Sequence, residues 1–258
     1  MGKRLKVALV QTLLHWENPM ENRKMFSDRI QEISDDVDLI VLPEMFTTGF
    51  TMSPENITEN EGALTISWMK EKAAQKNAAV VGSFVYNQNG TYYNRLFFVK
   101  PNGDLSFYDK KHTFTLAGED KKYRKGTEKL IETFRGFRIC PLICYDLRFP
   151  VWSRNTEDYD VLVYVANWPE VRIAAWDTLL KARAIENMSY CIGVNRVGTD
   201  INGHAYSGHS AAFDSLGKQL CFSDENQVLE VSLSLGHLQK TRSKLGFLKD
   251  RDSFNLTD

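Results

Sequence analysis

The sequence predicts an α/β protein whose β-sheets are mixed and are covered by helices on their faces. Short apolar runs alternate along the chain with segments in which apolar residues recur at helical spacing. Most of these runs are apolar at nearly every position, which is typical of strands buried on both faces. Hairpins interrupt the alternation, most clearly at Asn102-Gly103, a dipeptide that favours a tight turn. The hairpins argue against a purely parallel sheet.

The first half of the chain is predicted to form five strands and two helices. The first helix begins at Asn18 and Pro19, because an N-cap asparagine, a proline at the first position and Glu21 at the third are typical start residues. The spacing of Ile66 and Met69 indicates the second helix. The five strands are the apolar runs at residues 6–11, 38–42, 78–86, 92–100 and 105–109.

The second half is predicted to add five strands and a long helix in one continuous domain. Trp176, Leu180 and Ala184 recur at four-residue steps and indicate a helix between residues 173 and 188. A turn at residues 215–218 follows the fourth strand, and a short helix follows the fifth. No linker rich in Gly, Pro or Ser divides the chain, so residues 1–245 are predicted to form a single domain. Residues 246–258 lack a core pattern and form a C-terminal tail that is either frayed or docked on a partner subunit. The strands are the runs at residues 137–144, 161–166, 190–197, 209–213 and 227–235.

Charge and hydropathy exclude several classes of partner. The formal net charge of the 258 residues is -1, so the chain offers no broad basic face for nucleic acid and no polybasic signal for a membrane. No apolar run approaches the roughly 18 residues that span a bilayer. Gln11 interrupts the apolar stretch near the N-terminus, which therefore does not match a signal peptide. A cytoplasmic protein is expected.

The four cysteines are predicted to be reduced. They are widely spread, no C-x-x-C pair occurs, and no histidine cluster accompanies them. These spacings favour neither a disulfide framework nor a zinc site. Reduced thiols are typical of a reducing compartment.

Three reactive side chains stand where predicted strands stop, namely Glu44, Lys110 and Cys144. In open α/β sheets, functional sites gather at strand ends because loops there are free to carry chemistry. Taken singly, each has an ordinary explanation as a solvated carboxylate, a surface lysine or a core cysteine. Side chains alternate across a strand, so only one of Lys110 and Lys111 is expected to turn inward. Alternation alone does not decide which.

The segments around these residues resemble the nitrilase superfamily of carbon–nitrogen hydrolases. LPEMF, YDKKHTF and ICYDLRFP match three signature segments in order and spacing, and the resemblance covers nearly the whole chain. It implies a four-layer αββα sandwich, often dimeric through the helices on the cysteine side, with Glu44, Lys110 and Cys144 as a triad. The family lysine stands two residues before a histidine, which selects Lys110 over Lys111. The family's second glutamate precedes a glycine by seven residues, which implies that role for Glu119.

The resemblance implies covalent hydrolysis of an amide without a metal or a cofactor. Cys144 would attack as a thiolate, and Glu44 would take up its proton and return it to the departing ammonia. Lys110 and the backbone N–H of Tyr145 would stabilise the oxyanion, one such donor being worth around 3 kcal/mol. Glu119 would hold Lys110 and help to position the substrate.

Three further segments, YDLRFPVWSRN, YVANWP and LLKARAIEN, resemble the omega-amidase branch of this superfamily. That branch hydrolyses the terminal amide of 2-oxoglutaramate or 2-oxosuccinamate. An anionic substrate needs a cation or several N–H donors, and Arg172 is the candidate carboxylate clamp, although a solvated charge at a helix start explains it equally well. Phe46, Asn167 and Trp168 stand at strand ends and are expected to line the pocket.

Residues beside the triad are expected to have structural roles. Asp146 and Arg148 directly follow the nucleophile and are expected to brace that turn by pairing with neighbours. His112 is expected to support Lys110. The expected partners are a small amide substrate and a second copy of the chain in a homodimer, with no nucleic acid and no membrane.

Several alternative functions remain open. Within the superfamily they are deaminated-glutathione amidase and N-carbamoyl amide hydrolase. A non-enzymatic binding protein on a hydrolase fold is a hypothesis of another class, although an intact triad argues against it. Gly208-His209-Ser210 resembles half of a serine-hydrolase elbow, but the G-x-S-x-A pattern and the strand context do not match. None of the five histidines has the motif context of a Cys–His protease.

Overall fold

The computed structural model describes residues 2–256, and most of its elements coincide with the predicted ones. No helix in this part of the chain is both long enough and apolar enough to cross a membrane. The strands are β1 (Arg4–Gln11), β2 (Leu39–Val41), β3 (Ala79–Gln88), β4 (Thr91–Val99), β5 (Leu105–Asp109), β6 (Glu132–Phe134), β7 (Phe137–Ile143), β8 (Val161–Val165), β9 (Tyr190–Val194), β10 (Val197–Thr199), β11 (Ala205–Ser207), β12 (Ser210–Phe213), β13 (Gln219–Ser223) and β14 (Gln227–Ser234). The helices are α1 (Pro19–Gln31), α2 (Glu61–Lys76), α3 (Glu119–Lys122), α4 (Pro150–Ser153), α5 (Ile173–Asn187) and α6 (Leu235–Leu245).

Two six-stranded mixed sheets form the centre of the molecule. The first has the strand order β14-β1-β2-β3-β4-β5, and the second has the order β13-β12-β9-β8-β7-β6. In the first sheet β1, β2 and β3 are parallel, and the flanking strands are antiparallel. The second sheet repeats this plan around the parallel strands β7, β8 and β9. Because β14 pairs with β1 over eight residues, the end of the chain returns to the first sheet.

The alternation of side chains along β1 divides the interior into two cores. Leu5, Val7 and Leu9 face the second sheet and belong to the core that both sheets share. Ala8 and Val10 face the other way and pack against apolar side chains of α1 and α2. The first sheet is therefore buried on both faces, which explains why its strands are apolar at nearly every position.

Helix α5 covers the outer face of the second sheet. Trp176, Leu180 and Ala184 are buried against it. Gly193 of β9 permits this close approach, because a Cβ there would lie 2.4 Å from Leu180 Cδ1. The layers are thus helices, sheet, sheet and helix, which confirms the prediction of a four-layer αββα sandwich with mixed sheets.

The structure differs from the predicted elements mainly between residues 190 and 223. The predicted strand 190–197 stops at Val194, because the Asn195 side chain bonds the backbone of Trp168 and Gly208 and the chain leaves the sheet there. Residues 197–207 form a separate two-stranded hairpin of β10 and β11. β6, β10 and β11 have three residues each, too few to form a recognisable run, and β13 was not predicted either.

The described part of the C-terminal tail lies on its own chain. Arg251 forms an ion pair with Asp158 at 2.7 Å and donates to the Asn155 carbonyl. Phe254 and Leu256 border a surface groove that is also lined by residues of α4. Docking of this tail on a partner subunit stays a prediction.

Candidate active site

Glu44, Lys110 and Cys144 meet at one end of the sandwich, because each stands at the carboxyl end of a strand. In the first sheet β2 and β5 run in the same direction, so Glu44 and Lys110 emerge at the same edge. In the second sheet Cys144 follows β7. Lys110 and Cys144 line a common cavity. Glu44 is fully buried one layer behind that wall.

A buried ion-pair network surrounds the lysine ammonium group. Lys110 Nζ lies 2.8 Å from Glu44 Oε1. It also lies 3.0 and 2.9 Å from the two carboxylate oxygens of Glu119. Neither carboxylate is exposed to solvent, so the charges interact in a medium of low dielectric constant. Lys111 instead places its ammonium 5.4 Å from the Trp152 ring centroid, so the structure selects Lys110 as the inward lysine.

Two asparagines fix the orientation of Glu44. Asn94 Nδ2 donates to Glu44 Oε1 at 2.8 Å and to Glu119 Oε1 at 3.1 Å. The backbone N–H of Asn167 donates to Glu44 Oε2 at 2.9 Å. Sequence reasoning overlooked Asn94, although an amide inside the apolar run of β4 was a usable signal.

Cys144 stands on a sharp turn between β7 and a short 3₁₀ segment. Its φ of 42° lies in the left-handed region, which is uncommon for a residue with a side chain. The thiol points to the Asn167 carbonyl, with 3.9 Å between sulfur and oxygen. Tyr145 is the second residue of the 3₁₀ segment, where an N–H group has no carbonyl partner within the turn. That N–H is therefore suitably placed to bind a developing negative charge.

Asp146 braces this turn as the sequence predicts. Its buried carboxylate accepts from Ile143 N at 3.0 Å and from Tyr108 Oη at 2.8 Å. It also bonds the backbone N–H of His112 at 3.0 Å and its ring Nδ1 at 2.8 Å. The expectation that His112 supports Lys110 is corrected, because its ring bonds Asp146 and stacks on Phe149 at 3.7 Å. His112 thus stabilises the cysteine turn.

Burial and charge set the protonation of the network. Burial raises the pKa of Cys144 well above its ordinary value, the Glu44 carboxylate raises it further, and Lys110 opposes both. Burial alone would lower the pKa of Lys110, but Glu119 and Glu44 outweigh burial and raise it. Burial also raises the pKa of Glu119 against the influence of Lys110. The resting site therefore holds a thiol beside a firmly protonated lysine.

The cavity above Cys144 has a volume of about 220 Å³, and its walls combine aromatic with polar and charged side chains. Asn167 and Trp168 line it, as the sequence predicts. Phe46 does not, and this prediction is corrected. Its ring lies in the helix-covered core beside Gly82, where a Cβ would come within 2.9 Å of the ring. The apolar lining comprises Phe50, Met52, Phe114, Ala117, Tyr145, Trp168, Pro169 and Tyr206.

Two arginines face this cavity without a carboxylate partner in the described part of the chain. Arg172 lies with its Cζ 5.2 Å from the Phe114 ring centroid, and Arg148 lies 4.8 Å from that of Trp168. Both line the cavity. The expectation that Arg148 braces the turn by pairing is therefore corrected. Its side chain extends from the turn into solvent over Trp168, out of reach of the acidic groups below.

Comparison with known proteins shows the family to which the chain belongs. The family model described as carbon–nitrogen hydrolase matches residues 6–243. The chain is 44% identical to "Omega-amidase YafV" of Yersinia enterocolitica, with 98% of each chain covered. It is 30% identical to "2-oxoglutaramate amidase" of Bacillus subtilis, with 95% of this chain and 96% of that protein covered. The solved structure of XC1258 from Xanthomonas campestris, a CN-hydrolase superfamily protein with an arsenic adduct in its active site, superposes with a TM-score of 0.95 at 38% identity, covering 98% and 99% of the two chains. The chain belongs to the carbon–nitrogen hydrolase family.

Proposed function

We propose that this protein is an omega-amidase that hydrolyses the terminal amide of 2-oxoglutaramate or 2-oxosuccinamate. The observation that carries the proposal is a buried glutamate–lysine–cysteine cluster that opens into a small cavity. Two arginines that have no carboxylate partner among the described residues border this cavity. The cluster suits amide hydrolysis, and the arginines suit a substrate with a carboxylate at its far end. The names of the relatives from Yersinia enterocolitica and Bacillus subtilis support the same activity.

The first chemical step forms a bond between Cys144 Sγ and the amide carbon. The thiol proton passes to Glu44, whose charge already influences the sulfur. The carbonyl oxygen becomes an oxyanion, which the Lys110 ammonium and the Tyr145 N–H stabilise, one such donor being worth around 3 kcal/mol. Because these groups are held before the substrate arrives, little reorganisation opposes the step.

The second half of the reaction releases the two products in turn. Glu44 returns its proton to the amide nitrogen, the carbon–nitrogen bond breaks, and ammonia leaves a thioester on Cys144. Glu44 then takes a proton from water, whose oxygen attacks the thioester carbon. The sulfur leaves with that proton, and the 2-oxo diacid is released. Glu119 keeps Lys110 in place throughout through two contacts of 2.9–3.0 Å.

The cations at the cavity mouth determine which acyl group fits. Arg148 and Arg172 lie over aromatic rings and keep N–H donors free for an anion. A volume of about 220 Å³ accommodates a short substrate of this kind. The carboxylate is expected to contact one or both guanidinium groups, while the amide reaches Cys144.

Ammonia release from a panel of substrates tests the proposal. The panel comprises 2-oxoglutaramate, 2-oxosuccinamate, deaminated glutathione, an N-carbamoyl amino acid and an aliphatic nitrile. The highest kcat/KM is expected for one of the two 2-oxo acid amides. A clear preference for deaminated glutathione, the carbamoyl compound or the nitrile would replace the proposed substrate class. The Cys144→Ala variant is the control for chemistry at the sulfur and should release no ammonia.

A further inference from the structure

Arg196 is a buried cation that has no ion-pair partner in the described part of the chain. It follows β9, and only 1% of its surface is exposed. Its guanidinium makes one hydrogen bond, from Nε to the Val197 carbonyl at 3.3 Å, and stacks on the Tyr206 ring with Cζ 4.6 Å from the centroid. Burial lowers its pKa, and Tyr206 and the Asp200 carboxylate oppose this shift only in part.

Other buried arginines of this protein are neutralised by carboxylates. Arg183 lies 2.8 Å from Glu186 Oε1, and Arg95 lies 2.6 Å from Asp109 Oδ1. A buried charge without such a partner costs several kcal/mol of stability. Arg196 therefore imposes a cost on the free protein that its stacking and one long hydrogen bond do not offset.

The guanidinium lies one side-chain layer behind the cavity wall. Tyr206, on which it stacks, lines the cavity. Nη1 of Arg196 would lie 3.5 Å from a Cβ on Gly49. The residue after Gly49, Phe50, also lines the cavity. Tyr206 thus links Arg196 to the cavity wall.

Charges of both signs surround the cavity, and they differ in how strongly water screens them. Lys110 is outnumbered by the carboxylates of Glu44 and Glu119. Asp200 adds a further carboxylate in the wall, where it accepts from Tyr206 Oη at 3.0 Å and from the backbone N–H groups of the 200–204 turn. Arg148 is exposed and Arg172 is half-buried, so water screens their charges more than it screens that of the fully buried Arg196.

We propose that Arg196 is a specificity-determining residue whose buried charge, without an ion-pair partner among residues 2–256 and acting across Tyr206, favours amides that carry a carboxylate at the end remote from the scissile bond. The inference rests on the proposed omega-amidase function and deepens it. An anion bound in the cavity provides a negative charge near the Arg196 guanidinium. Binding of the substrate therefore offsets part of the free-energy cost of burying this charge.

The test compares 2-oxoglutaramate with 4-oxopentanamide, in which a methyl group replaces the carboxylate. Arg196→Met is expected to raise KM for 2-oxoglutaramate roughly tenfold, as expected for one charge acting across a side-chain layer at an effective dielectric constant near 20. KM for 4-oxopentanamide and kcat for either amide should change much less. Arg196→Lys retains the charge and should restore most of the preference for the anion.

Two further measurements separate a charge effect from a structural one. The product 2-oxoglutarate should raise the melting temperature of the wild type, and Arg196→Met should need roughly tenfold more of it for an equal shift. Asp200→Asn removes a negative charge from the wall and should lower KM for 2-oxoglutaramate but not for 4-oxopentanamide. Arg196→Gln, which removes the charge but keeps a polar side chain, is the second variant should Arg196→Met fail to fold.

The possible failures are distinguishable. If the wild type shows no preference for 2-oxoglutaramate over 4-oxopentanamide, the proposed function itself is wrong. If the wild type prefers the anion but a folded Arg196→Met or Arg196→Gln variant loses both activities in parallel, Arg196 is only structural and the inference is overturned. An unchanged preference in Asp200→Asn would count against it in the same way.

Discussion

Cys144 keeps its proton in the resting protein, because burial and the Glu44 carboxylate raise its pKa well above the ordinary value of 9.0. Iodoacetamide reacts with the thiolate. Inactivation should therefore accelerate by roughly tenfold per pH unit from pH 6 to 9, without a plateau in that range. Residual ammonia release after timed exposure measures this rate.

The Cys144→Ala variant provides the background for this measurement. Alkylation of its three remaining cysteines, followed by mass spectrometry, should be slow, because burial raises the pKa of Cys140, Cys191 and Cys221 as well. A plateau of inactivation near neutral pH would instead indicate a thiolate–lysine ion pair between Cys144 and Lys110.

Glu119 is a positioning residue whose loss should reduce turnover more than substrate binding. Glu119→Gln removes one of the two carboxylates around Lys110 and leaves a polar group against Phe114 N. A displaced ammonium no longer meets the oxyanion, so kcat should fall by roughly 10²-fold while KM changes little. Steady-state kinetics test this split.

Glu55→Gln is the matched control, since Glu55 pairs with Lys122 at the surface and such pairs contribute little. Its kcat should equal that of the wild type. If the Glu119→Gln variant has a normal kcat, Glu119 is not needed to position Lys110.

Sequence reasoning identified the residues whose motifs are local and overlooked those whose role depends on tertiary contacts. Glu44, Lys110 and Cys144 each stand at the end of a recognisable strand. Asn94 does not, and its importance depends on two glutamates that lie 50 and 25 residues away. Arg196 lies within the predicted strand 190–197, and only the structure shows that it is buried and lacks an ion-pair partner among residues 2–256.

At the scale of elements, the position of Lys110 depends on close contact between β5 and the loop at Gly126. Gly126 N donates to the Lys110 carbonyl at 2.9 Å, and a Cβ at residue 126 would lie 2.1 Å from the Asp109 carbonyl oxygen. Gly126→Ala must push the end of β5 away. The free energy of unfolding should fall by about 1–3 kcal/mol, and kcat should fall by roughly 10- to 100-fold.

Gly236→Ala is the control for this substitution. Gly236 lies in α6, where an added Cβ meets nothing within 4 Å. The replacement should stabilise the protein by about 0.5–1 kcal/mol and leave kcat unchanged. Urea unfolding and steady-state kinetics on both variants test this prediction. Equal unfolding free energies and equal kcat values for the two variants would refute the role of the contact between Gly126 and β5.

Elements with a strong pattern were predictable, and those that depend on neighbouring chain segments were not. The predicted bounds of β5 match the structure, because five residues before the lysine form a short run after a clear turn. β6 has three residues and gains its place only by pairing with β7. Phe46 was assigned to the cavity from its place after β2, but the chain turns at Met45, which has a φ of 42°, and directs the ring into the core.

At the scale of the whole molecule, we propose that the protein forms a homodimer through the cysteine-side helices and the tail. Val151 of α4 is exposed and borders the same groove as Phe254 and Leu256. Sedimentation at micromolar concentration should give twice the chain mass of 29.6 kDa. Val151→Asp should shift the equilibrium towards monomer, because association would bury an unpaired charge.

Met20→Asp is the control for this surface, since Met20 is exposed on α1, which packs on the first sheet. It should sediment like the wild type. A wild-type mass of 29.6 kDa under these conditions would contradict the dimer.

The division of the cluster between two sheets makes the enzyme a natural candidate for fragment complementation. Glu44, Lys110 and Glu119 precede the irregular loop before β6, whereas Cys144 follows it. A chain opened within that loop would yield one piece with the acid and the ammonium and another with the sulfur. Each fragment should be inactive on its own. Mixing the two fragments should restore turnover. Their association is favoured by β14 of the second fragment, which pairs with β1 of the first over eight residue pairs.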